Sequence, residues 1–130
     1  MKDEPASAMR EAEGWLASAK HSLVEAQSDD VLASVCSAQA IHALIRANDA
    51  LTMKLLGRKS TRHEDAPALF ADLLREGKLP ATEMRFRRLL ARAMRDKSGA
   101  DYGRKRFSPR DAEEYVSEAE MFIAMARTYI

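Results

Sequence analysis

Cys36 is the single cysteine of the chain. One thiol excludes an internal disulfide framework and any multi-cysteine zinc site. Aromatic residues are scarce at 6%, and no stretch alternates apolar and polar residues long enough to make a strand. Five Gly and four Pro in 130 residues exclude a collagen-like or low-complexity chain. Long apolar runs are missing as well. The longest uncharged run, Val31 to Ile45, has fifteen residues and includes Gln39 and His42, short of the roughly 20 apolar residues that cross a bilayer. The opening MKDEPASAMREAEG lacks the apolar centre of a secretory signal. No membrane partner and a cytoplasmic location are therefore expected. A dominant charge sign is also absent: 21 basic residues face 20 acidic ones, net +1, so the overall balance names no partner.

What is present is helical. Apolar residues make up 46% of the chain and are mostly Ala, Leu, Ile and Met. The length suits one domain, residues 1–130, large enough to bury about two-thirds of its unfolded surface without metal or disulfide. Met9, Ala12, Leu16, Ala19, Leu23 and Ala26 recur at steps of three and four, with Trp15 beside them. That spacing predicts a helix over about 7–26. Ser28, Asp29 and Asp30 are cap candidates for a second helix over about 30–56, which Gly57 is placed to end. GRKSTRHED is a polar connection, and Pro67 suits the first turn of a short helix over about 66–75. EGKLP breaks the chain before a helix over about 81–96, with Phe86, Leu89, Leu90 and Ala93 on its apolar side. Gly99 and Gly103 suggest a loop through SGADYGRKRF. Ser108, Pro109 and Asp111 are the cap, first residue and dipole-matched acid of a last helix over about 109–130. The expected fold is an all-α bundle of four long helices and one short one.

The charge is unevenly placed. Residues 1–30 carry three basic and seven acidic side chains, whereas residues 54–110 carry sixteen basic and seven acidic. Arg85, Arg88, Arg92 and Arg95 fall at steps of three, four and three, on one helix face, and Arg104, Lys105 and Arg106 follow. With Arg62, such a stripe is a candidate phosphate or nucleic-acid contact. A solvated face balanced by the acidic last helix is the commoner origin of such a charge run.

Several catalytic signatures are absent: no glycine-rich phosphate loop, no HExxH, no ExxH pair, no GxSxG. No metal ligands and no cofactor are expected. Cys36 reads as a packing residue, and His21 as simply exposed. Gln39, His42, Arg46 and Asp49 form a polar row along the second helix. The row fits an outward face or a partly buried seam between protomers, with Arg46 and Asp49 paired. His63 lies in the basic connection RKSTRH before the third helix, with Arg58 five positions upstream. Imidazole is a natural general acid or base near neutral pH, and a guanidinium binds phosphate through its fork of donors. The pair suits metal-free RNA cleavage, in which a 2′-hydroxyl attacks the adjacent phosphate. A helix-start histidine that caps or faces water is the plain alternative.

The order of these pieces resembles the HEPN (higher eukaryote and prokaryote nucleotide-binding) domains. IHALIRANDAL, the GRKSTRHED loop, the GKLP break and the ADYG turn before SPRDAEE carry the likeness, from about Glu11 to Ile130. The resemblance implies an up-and-down helical bundle and a homodimer. It further implies a toxin-like, metal-independent RNA endonuclease paired with a nucleotidyltransferase antitoxin, with Arg58 and His63 as the catalytic pair. The alternative within the same family is a non-catalytic module that binds nucleotide, RNA or a nucleotidyltransferase partner. Lys59 directly after Arg58, and Ser37 and Ala38 before His42, depart from the pattern of the ribonuclease branch.

Overall fold

The structure is a computed structural model and describes residues 4–101 and 106–130. Five α-helices follow in order: α1 (Pro5–Ala26), α2 (Asp30–Leu56), α3 (Ala66–Arg75), α4 (Arg85–Asp101) and α5 (Pro109–Arg127). Two 3-10 turns, His63–Asp65 and Ala81–Met84, lead into α3 and α4. Four helices are long and one is short, with no strand among the described residues, in an up-and-down bundle. None of the helices is long and apolar enough to cross a membrane, among the described residues.

Local chemistry sets the helix ends. The Asp29 side chain accepts from the backbone N–H groups of Val31 and Leu32, satisfying donors that the first turn leaves unpaired. Gly57 closes α2 at φ 75°, a left-handed conformation that glycine adopts without a Cβ penalty. Ser108 and Asp111 form a reciprocal capping box at the start of α5. The expected stripes then meet. Met9, Ala12, Leu16 and Ala19 of α1 are buried together with Ile41, Leu44, Ile45 and Leu51 of α2. Ala112, Val116, Ala119, Phe122 and Ile123 of α5 close the same core. Phe122 packs against Phe70 of α3 and Phe86 of α4, at ring distances of 5.9 and 5.2 Å. It is fully buried, so truncation to Ala should cost about 3–5 kcal/mol.

Four boundaries differ from the sequence expectation. The Pro5 ring starts α1 two residues early, because its fixed φ suits a first turn. Residues 81–84 form a 3-10 turn rather than the first turn of α4. At its other end α4 runs through Gly99 to Asp101 instead of breaking near Asp96. One interior glycine weakens a helix by only about 1 kcal/mol, and Asp96 is held by the Tyr115 hydroxyl of α5. The last helix stops at Arg127, three residues short, with Thr128 as its C-cap. Gly103, Arg104 and Lys105 lie outside the described residues.

Candidate functional site

The polar row of α2 holds the connection that carries His63. Arg46 donates to Asp49 at 2.8 Å and, across to α1, to Glu11 at 2.6 Å. The second Asp49 oxygen accepts from the Ser60 hydroxyl at 2.9 Å. Asp49 is 5% exposed, and a polar group that far from water needs such hydrogen-bond partners. One residue earlier, the buried Asn48 donates through Nδ2 to the Ala66 carbonyl at 3.1 Å, where α3 begins. Ser60 and Ala66 thus fasten the connection to α2 on either side of His63. Within one chain Arg46 and Asp49 form the expected i, i+3 pair, and the row joins α1 to the loop. Gln39 is half-buried on the same helix.

His63 opens the 3-10 turn and is exposed. It shares a cleft of about 570 Å³ with Thr61, Arg62, Glu64, Met94, Lys97 and Ser98. Lys97 and Ser98 come from α4, so the cleft lies between the connection and that helix. Arg62 bridges loosely to Glu64 and Asp65 at 3.7 and 3.5 Å. On its inner side His63 meets His42 edge-on, with ring centres 6.0 Å apart and planes at 87°. His42 in turn stacks on Trp15 of α1 at 4.8 Å and 21°.

Arg58 is not among the lining residues of that cleft. Its guanidinium donates to Asp72 of α3 at 2.8 Å, and Arg75 takes the other oxygen of the same carboxylate. Desolvation pulls the Asp72 carboxyl upward, but the hydrogen bonds of Arg58 and Arg75 outweigh it and hold the pKa below the usual carboxylate range.

A second cleft, about 550 Å³, runs between α4 and α5 and is lined by Arg85, Arg88, Arg92 and Arg95 together with Phe86, Leu89, Glu118 and Met121. The four arginines expected to share a face do share it, with different surroundings. Arg92 bonds Glu118 at 2.7 Å and lies over the Tyr115 ring at 5.0 Å. Burial opposes the Arg92 charge, yet Glu118 and Tyr115 more than offset it and keep its pKa above the usual guanidinium value. Arg85 folds over Phe86 at 4.4 Å. Arg88 and Arg95 are exposed and form no ion pair among the described residues.

Burial raises the Cys36 pKa, and its Sγ lies 3.2 Å from the Ala19 carbonyl, so the thiol packs rather than reacts. No group of three His, Cys, Asp or Glu side chains could hold a metal ion, among the described residues. Trp15, Asn48, Ser60, Asp72 and Lys97 join these surroundings without belonging to any motif or spacing in the sequence. Only Asn48 had a visible signal, an amide inside an otherwise apolar helix stretch.

A search of the curated proteins finds no match to the chain. A model of the HEPN domain family matches residues 6–129, covering α2 to α5 and all but the first residue of α1, and the chain therefore belongs to the HEPN domain family.

Proposed function

We propose that the chain is a toxin-like RNA endonuclease that needs no metal, works as a homodimer in the cytoplasm and is restrained by a nucleotidyltransferase antitoxin. The observation that carries this reading is the exposed imidazole of His63 in a cleft flanked by the cations of Arg62 and Lys97. His63 takes the proton of a ribose 2′-hydroxyl while that oxygen bonds to the adjacent phosphorus. The bond from phosphorus to the 5′ oxygen breaks, and the imidazolium returns the proton to it. The products are a 2′,3′-cyclic phosphate and a 5′-hydroxyl. Arg62 and Lys97 attract the phosphate, and Arg58 clamps it during charge build-up. Arg58 must exchange Asp72 for phosphate to do so, which its exposed ion pair permits, since such pairs hold weakly.

One observation favours the non-catalytic alternative. Arg88 and Arg95 line a separate groove without anionic partners among the described residues, a surface suited to holding RNA, nucleotide or an acidic partner without cutting. Expression without the antitoxin separates the readings. Growth arrest by the wild type that His63→Ala relieves supports the enzyme; harmless wild-type protein that still binds RNA supports the module.

A further inference from the structure

From the placement of the single tryptophan we infer that the open side of the Trp15 indole is a stacking platform for a nucleobase on the same short strand as the phosphate held in the His63 cleft. The inference rests on the reading of that cleft as an RNA site.

Trp15 is 38% exposed, whereas Phe70, Phe86, Phe107, Tyr115 and Phe122 are all buried in the core. Burial of an indole contributes strongly to stability, and Trp15 is covered over most of its surface while keeping part of the ring accessible to a ligand. One side of the ring is already taken. His42 stacks on it at 4.8 Å and 21°, fixing the indole before any ligand arrives. The ring also borders a shallow recess of about 370 Å³ whose other walls are Glu11, Gly14 and Ser18. A Cβ added at Gly14 would meet nothing within 4 Å, so the space beside the ring is open. Arg46 binds the Glu11 carboxylate, which weakens its repulsion of a polyanion.

The platform connects to the cleft through the rings themselves. Steps of 4.8 and 6.0 Å, from Trp15 to His42 and from His42 to His63, place the indole within about 11 Å of the candidate base. A base on the open face stands one further rise away, so the separation is at most about four rises of 3.4 Å along a stacked strand. A base on Trp15 and a phosphate at His63 can therefore belong to one short single-stranded segment. Stacking is tolerant of sequence because every base has a π-face, so this subsite positions the strand without reading it.

The test uses the full chain and an oligoribonucleotide carrying 2′-O-methyl groups, which cannot supply the attacking hydroxyl and stays intact. Trp15 is the single tryptophan, so its emission reports the platform alone. Quenching that saturates together with binding, measured by anisotropy of a labelled oligomer, is expected. An abasic sugar-phosphate oligomer of equal length should bind more weakly and leave the emission unchanged. Trp15→Leu should weaken the base-bearing oligomer about 5- to 160-fold and the abasic one hardly at all, whereas Trp15→Phe keeps most of the affinity. Binding with unmoved emission, or equal affinity for the two oligomers, overturns the platform, and the wild-type measurement decides this even if a variant folds poorly. Quenching by RNA that is never cut removes the ribonuclease reading alone. No binding of either oligomer removes both.

Discussion

Ser60 donates a 2.9 Å hydrogen bond to the buried Asp49 carboxylate, whose other oxygen is held by Arg46. The His63 connection is thereby tied to the centre of α2 rather than left to its own loop preferences. The proposed general base, which must meet a ribose 2′-hydroxyl within a fraction of an ångström, needs such support.

Asp49→Ala should therefore be destabilising and also slacken the site. It leaves Arg46, 17% exposed, without its inner partner, and breaking a buried pair costs about 3 kcal/mol. Urea unfolding measures the loss. Ser60→Ala should lose only about 1 kcal/mol and still lower RNA cleavage.

Asp72→Asn should release Arg58 and Arg75 and tighten RNA binding several-fold at pH 7. Because the folded carboxyl titrates below its unfolded value, its stabilising effect is full above the usual carboxylate range and fades as pH falls through the lowered value. The stability difference between wild type and Asp72→Asn should shrink over that acid interval. Thermal melts from pH 7 to pH 2 check it, and a difference that grows on acidification would contradict the Arg58 pairing.

On α4 the arginines should divide by their surroundings. Arg88→Ala with Arg95→Ala should weaken RNA binding and flatten the salt slope by about 1.4, at about 0.7 per phosphate contact on a single strand, with little change in melting. Arg92→Ala should instead lower stability by roughly 1 kcal/mol, a figure discounted for its exposed side chain, through lost contact with Glu118 and Tyr115. Salt titrations of binding beside melts separate the two effects.

Much of the helix frame was legible because local groups determine it. Asp29, Gly57 and Ser108 mark ends that depend on caps a few residues away. The end of α4 was not legible, since tertiary contact at Asp96 lets the helix continue through Gly99. The same limit governs the site. Spacing puts Gln39, His42, Arg46 and Asp49 on one face of α2 but does not show that α1 and the 57–65 connection cover it. Arg58 and His63 were visible as a pair of suitable chemistry, whereas the pull of Asp72 on Arg58 comes from α3, fourteen residues on. Trp15 looked like a flank of the α1 stripe, because periodicity says nothing of the ring that another helix sets against it.

The proposed homodimer can be tested directly by mass. Light scattering at micromolar concentration should give about twice the 14.5 kDa chain mass. A uniform monomer that still cleaves RNA would remove the dimer from the mechanism and leave His63 in place.

Product chemistry tests the central role of His63 most directly. A mixed RNA pool is incubated in EDTA with wild type and with His63→Ala, and the ends of the fragments are identified. The expected result is 2′,3′-cyclic phosphate and 5′-hydroxyl ends from the wild type. Yield should be about 10²–10⁴-fold lower for His63→Ala, with a melting curve within about 0.5 kcal/mol of wild type because the side chain is exposed. Uncut RNA with folded wild-type protein, or equal cleavage by His63→Ala, would contradict it.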